Sequence, residues 1–148
     1  MVSGGQTGVD RAALDVAMVL GIPCGGWCPK ERLAEDGSIP LVYPLRETPS
    51  TCYSQRTKWN IRDSDATLVL HGGTISGGTA LTVDLAAAHK KPCLCVMLTG
   101  QARIVHVADW LKELDIATLN VAGPRESQNP GIYRLAYVFL KDLLSMKT

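Results

Sequence analysis

Short apolar runs alternate with helical patterns along the whole chain, and this alternation most narrows the fold. Ala66–Leu70 and Cys93–Leu98 are compact runs with the character of buried strands. Pro23–Trp27 and Ile116–Val121 fit strands as well. Between them the period changes to that of a helix. Val9–Leu20 puts Ala13, Leu14, Ala17, Met18 and Gly21 on one face, and Gly21 and Pro23 form its stop. Further helices are expected from Ser50 or Thr51 to about Arg62, from Ala80 to His89, and from Arg103 to Leu114. The last two turn Leu81, Leu85 and Ala88, and Val107, Leu111 and Leu114, inward. A final helix, with Asn129 as cap and Pro130 first, carries Tyr133, Ala136, Tyr137, Leu140, Leu143 and Leu144. Such alternation implies an α/β protein with a doubly wound parallel sheet and helices on both faces. The 148 residues suit one domain over 1–148, enough to bury about 68–70% of the unfolded surface.

Three unusual loops punctuate this pattern. The first is Ser3-Gly4-Gly5-Gln6-Thr7-Gly8-Val9-Asp10-Arg11. Thr7 and Asp10 have capping-box spacing, so the helix is expected to start beside Thr7. The strand before it, Met1-Val2-Ser3, is short: either the chain begins almost inside its sheet or upstream residues are absent. The second loop is His71-Gly72-Gly73-Thr74-Ile75-Ser76-Gly77-Gly78-Thr79, and the third runs from Ala122 to Asn129. In a parallel sheet all three follow strands, so they belong on the carboxyl edge, where such sheets bind ligands. Their amides, hydroxyls and helix starts suit an anion, and Arg125 adds a planar donor fork. The candidate ligand residues are Ser3, Gly4, Gly5, Gln6, Thr7, Ser76, Gly77, Gly78, Thr79, Arg125 and Ser127. Any one of these glycine turns could equally be structural.

Other classes find less support. Fifteen basic against 14 acidic residues give no electrostatic case for nucleic acid or a membrane surface. No apolar run approaches the roughly 20 residues of a membrane span, and no leader pattern opens the chain, so a cytoplasmic location is expected. There is no Walker A lysine, no dinucleotide fingerprint, no zinc-protease motif and no nucleophile elbow. The five cysteines are an odd number and are expected to be reduced. Cys24 and Cys28 lack a second pair for zinc. Cys28 could be a nucleophile with His71 or His106 as base, but nothing in the sequence brings them together. The Pro-rich stretch from Cys28 to Pro49 reads as a long loop with one short strand at Leu41–Tyr43. Such a loop is either functional, a surface excursion, or a contact with another subunit.

Several blocks together resemble one family. They are Ser3–Arg11, Gly25-Gly26-Trp27-Cys28-Pro29-Lys30, Ala34-Glu35-Asp36-Gly37, Tyr43-Pro44-Leu45, Arg62–Thr67, Ser76-Gly77-Gly78-Thr79 and Asn120–Ser127. This pattern resembles the molybdenum carrier family across nearly the whole chain. That family is in turn similar to the Rossmann-like, lysine-decarboxylase-like proteins of the LOG type. The resemblance implies a Rossmann-like doubly wound fold, a homo-oligomer (dimer or tetramer), and molybdenum cofactor or molybdate as cargo. In this reading the Gly4–Thr7 and Ser76–Thr79 amides hold the anion, Arg125 is the counter-charge, Gln6 and Ser127 add hydrogen bonds, and no side chain ligates the metal. LOG-type enzymes release the base from nucleoside monophosphates with a Glu in P-G-G-x-G-T-x-x-E. Aligning Gly78-Thr79 on that G-T puts Thr82 at the Glu position, and Thr82 is no carboxylate base. Binding without catalysis is therefore expected. The alternatives are a nucleotide-processing enzyme on the same fold, or a sensor of nucleotide-derived ligands.

Overall fold

The computed structural model describes residues 1–99 and 104–146. Its helices are α1 (Val9–Val19), α2 (Tyr53–Arg62), α3 (Gly77–Ala88), α4 (Ile104–Glu113) and α5 (Ile132–Ser145). Its strands are β1 (Trp27–Cys28), β2 (Leu33–Ala34), β3 (Gly37–Ser38), β4 (Arg46–Glu47), β5 (Ala66–His71), β6 (Cys93–Met97) and β7 (Leu119–Ala122). β5 lies between β6 and β7, and both pairings are parallel. Val2 extends this ladder by bridging Asn120 on one side and Gly25 on the other, again in parallel. Its N–H reaches Leu119 O at 2.8 Å and its O receives Val121 N–H at 3.0 Å. Just beyond Gly25, β1 pairs in parallel with β4. The order across the sheet is thus β6, β5, β7, Val2, β1, β4, and β7, the last strand in the chain, lies in the middle.

The two faces of this sheet differ. On one, Leu68, Leu70, Val96 and Val121 join α1, α4 and α5 in the main apolar core. α1 is buried through Val9, Ala12, Ala13, Val16 and Ala17, while Leu14 turns to a smaller core with Cys28, Ala34, Ile39 and Leu45. Tyr133 of α5 ties to α1 by donating to Asp15 Oδ2 at 2.5 Å. The other face is covered by α2 and α3 and is more polar: Thr67, Asn120, Asn60, Thr79 and Thr82 are all buried. No helix among the described residues is long and apolar enough to cross a membrane.

Several local expectations need correction. Leu41–Tyr43 is a turn, closed by Tyr43 N–H to Pro40 O, and Leu41 and Val42 are exposed. The strand in this region is β4 instead. The long excursion is ordered by Arg32, whose guanidinium donates to the carbonyls of Ile39, Pro40, Tyr43 and Leu45. Thr7 and Asp10 form no capping box. Gly8 is the N-cap of α1, with φ 81° and no side-chain cap bond. A side chain at Gly8 would meet Pro124 O at 2.4 Å, so the first and third loops touch through bare backbone there. Asn129 does not cap α5. That helix starts at Ile132 behind a left-handed Gly131, and the Glu126 carboxylate receives the N–H groups of Gly131 and Tyr133. α3 begins at Gly77, ahead of Ala80, and buries Thr79, Thr82 and Ala86 while Ala88 is exposed. β6 is an edge strand with Cys95 and Met97 exposed, not a fully buried one. Gly100 and Arg103, expected at a strand end and a helix start, lie outside the described residues.

Candidate functional site

The carboxyl ends of the strand at Val2, of β5 and of β7 bring the three loops to one edge, on the polar face. A cavity of about 120 Å³ opens there. The first loop supplies Gly4 and Gln6, α1 supplies Asp10, and α2 supplies Arg56 and Asn60. The start of α3 supplies Gly78, Thr79 and Thr82, and the third loop supplies Gly123, Arg125 and Gln128. Tyr53, Leu81 and Pro124 add apolar wall.

Of the residues expected at the site, Gly4, Gln6, Gly78, Thr79 and Arg125 line this cavity. The others face elsewhere. Ser3 is fully buried and donates its hydroxyl to Val121 O at 2.7 Å. Gly5 lies under Ile39 and Leu45. Ser76 is the N-cap of α3 and Gly77 its first residue, both exposed. Thr7 and Ser127 meet at Glu35, described below.

Asp10 and Arg56, neither of them among the expected site residues, are the charged centre of the cavity. Both side chains are only 9% exposed, and Arg56 Nη1 lies 3.8 Å from Asp10 Oδ2. Nη1 donates to Gly4 O at 2.7 Å and Nε to Thr57 Oγ1 at 3.3 Å. A side chain at Gly4 would meet this guanidinium at 2.5 Å and displace it, so glycine there leaves room for Arg56. Asp10 Oδ2 receives Gln6 N–H at 3.3 Å. No buried side-chain nitrogen or oxygen among the described residues lacks a hydrogen-bond partner. Among the described residues Arg56 Nη2 and Asp10 Oδ1 have none, so both are open to the cavity. Burial pushes the Asp10 carboxyl up to about 6, against the opposing pull of Arg56, the Gln6 N–H, the nearby Ser3 hydroxyl and Arg11. Asp10 is the one carboxylate among the described residues that line the cavity. Thr82 donates its hydroxyl to Gly78 O at 2.9 Å.

Glu35, at the turn between β2 and β3, holds the first and third loops together. Its carboxylate receives the hydroxyls of Thr7 and Ser127, and the Ser127 N–H at 3.1 Å. Arg125 Nε stands 3.7 Å from it. Its own N–H donates to Gln6 Oε1 at 2.8 Å. Desolvation raises the Glu35 carboxyl, but the Ser127 and Thr7 bonds and Arg125 together hold it below its usual value. The sequence offered a signal here, the block Ala34-Glu35-Asp36-Gly37, without a role for it. Neighbouring Asp36 takes a bidentate pair from Arg11, at 2.5 and 2.8 Å.

The cysteine chemistry finds no such setting. Cys28 is fully buried in the smaller core, and burial pushes its thiol up. His71 Nδ1 accepts Gly73 N–H, and His106 is exposed on α4. No three His, Cys, Asp or Glu side chains among the described residues cluster as a metal site.

A polar cavity on the carboxyl edge of a parallel sheet, walled by glycine loops and a helix start, is the arrangement in which Rossmann-like folds place small-ligand sites. The chain belongs to the circularly permutated YpsA SLOG family, whose model matches residues 1–144. The central position of the last strand is in keeping with a permuted order. Among solved structures, the chain is 46% identical to a protein described as a putative molybdenum carrier protein from Syntrophus aciditrophicus SB. That match covers 97% of this chain and 93% of the other, with a TM-score of 0.92. No curated protein matches the chain.

Proposed function

We propose that this chain is a binding and carrier protein whose cavity takes an oxyanion or phosphate group, with molybdenum cofactor or molybdate as cargo. The observation that carries the reading is the open Nη2 of Arg56 inside a polar cavity, beside the Gly78 and Thr79 end of α3 and Arg125. A buried guanidinium and a helix start are both suited to an anion. Size supports a small group: about 120 Å³ is well under the roughly 300–1,000 Å³ of pockets that enclose whole drug-sized ligands. Molybdate fits that description, and so does the phosphate of a pterin cofactor whose ring lies outside, against Tyr53 and Leu81. The molybdenum assignment leans on the relative from Syntrophus aciditrophicus. The same proposal includes a cytoplasmic location and assembly as a homo-oligomer.

Calorimetry with molybdate and with molybdenum cofactor tests it. Binding of either, lost or weakened at least tenfold in Arg56→Ala, is the expected result. Binding of neither by the wild-type protein sinks the reading.

Asp10 favours a second reading, a nucleotide-processing enzyme. A carboxyl titrating near 6 inside the cavity is suited to general acid–base work. Release of free base across a panel of nucleoside monophosphates would support it, and nucleotide binding without release would indicate a sensor.

A further inference from the structure

An anion site with a carboxylate in its wall raises a question of charge. Asp10 Oδ2 is committed to the Gln6 N–H, while Oδ1 opens to the cavity. The charged and titratable groups around it are few. Arg56 and Tyr53 come from α2, Arg11 from its own helix, and Arg125 from the third loop. α3 contributes amides and the hydroxyls of Thr79 and Thr82. Arg11 is paired with Asp36, and Arg125 faces Glu35. Ser3 sends its single hydroxyl hydrogen to Val121 O. Arg56 is therefore the main charge that balances Asp10, and a fully ionised oxyanion would bring further negative charge against Oδ1, on a carboxylate only 9% exposed.

We infer that the cavity takes each oxyanion together with one proton, shared between the ligand and Oδ1 of Asp10. Hydrogen phosphate brings this proton itself and donates it to Asp10. Sulfate and molybdate bring none near neutral pH, so the proton comes from solvent and sits on Asp10, which then donates to the ligand oxygen. In both cases a single O–H···O bond replaces a carboxylate–oxyanion repulsion. Asp10 is thus the residue that sets which oxyanions enter, and at what pH. The inference rests on the oxyanion site proposed above. The burial of Asp10 places the change near pH 6.

The test is calorimetry on the whole chain with sodium sulfate, molybdate and phosphate, at about pH 5 and about pH 8, in buffers of different ionisation enthalpy. Sulfate and molybdate are expected to weaken about tenfold per pH unit above the Asp10 titration, with uptake of close to one proton. Phosphate is expected to bind at about pH 8 with little proton uptake, because hydrogen phosphate carries the shared proton itself. Asp10→Asn supplies a permanent donor, so sulfate and molybdate should bind it equally at both pH values. Buffer-dependent heats count protons on the wild-type protein, so the test stands even if that variant folds poorly. Sulfate or molybdate binding with no pH slope and no proton uptake overturns the inference and leaves the oxyanion site standing. No binding of any of the three at either pH removes both.

Discussion

Asp10 makes a case at the residue scale for reading side chains by their surroundings. In the sequence it was half of a capping box. In the fold that box is absent, because Gly8 is the N-cap of the helix, with a positive φ, and Thr7 turns to Glu35. What remains is a buried carboxyl facing a cavity. Its folded titration point, about 6, lies above the ordinary value of 3.8. A group raised on folding stabilises the native state below its unfolded value, and that contribution is lost as pH rises through the folded one. Chemical denaturation of the wild-type protein should therefore show Asp10's contribution declining between about pH 4 and pH 6. Asp10→Asn should remove that part of the slope, and an identical profile in both proteins would count against a raised Asp10. Arg56 was equally invisible in the sequence. It stands in a polar helix with no glycine beside it, and only the fold brings its guanidinium to Gly4 O of the first loop and to Asp10.

At the scale of elements, the helices and central strands were legible because their periodicity is a local property. α1, α2, β5 and α5 sit within a few residues of where the apolar pattern puts them. Their ends were not, because caps are settled by partners that apolar periodicity does not mark: the nearby Glu126 carboxylate for α5, the third loop for α1. The hairpin of β2 and β3 was missed for the same reason. It has two residues to a strand, and its order comes from Arg32 behind it and Glu35 in front. Glu35→Gln should loosen this strap, with faster hydrogen exchange of the amides in 33–38 and a modest loss of global stability. The sign of its pH dependence follows from a carboxyl lowered on folding. The stabilisation is present above the unfolded value and is lost as pH falls through the folded one. Wild type and variant should differ at neutral pH and converge in acid. An equal gap at both ends would assign the effect to packing rather than to charge.

At the scale of the whole molecule, the sheet has an edge that no strand covers among the described residues. Cys93–Met97 reads as a buried strand because every residue in it is apolar, yet β6 pairs only with β5 among the described residues. Leu94 and Val96 turn to the main core. Cys95 and Met97 alternate to the other side and are exposed, Met97 by 50%. Leu81 and Leu85 of α3, expected inward, are only half-buried, and Ala87 and Ala88 are exposed. An apolar edge strand beside an apolar helix is an aggregation liability unless something covers it. A second copy of the chain is the cover that agrees with the homo-oligomer proposed above. Met97→Lys places on this edge the charge that natural proteins use to keep edge strands apart. Light scattering after size exclusion should find the wild-type protein assembled and the variant shifted towards monomer. The variant should keep its oxyanion affinity, because Met97 does not line the cavity. A wild-type protein that runs as a monomer at high concentration would leave this face uncovered and withdraw the assembly from the proposal. Assembly unchanged by Met97→Lys would move the interface to another face, and the exposed Leu135 and Val138 of α5 are the next to probe.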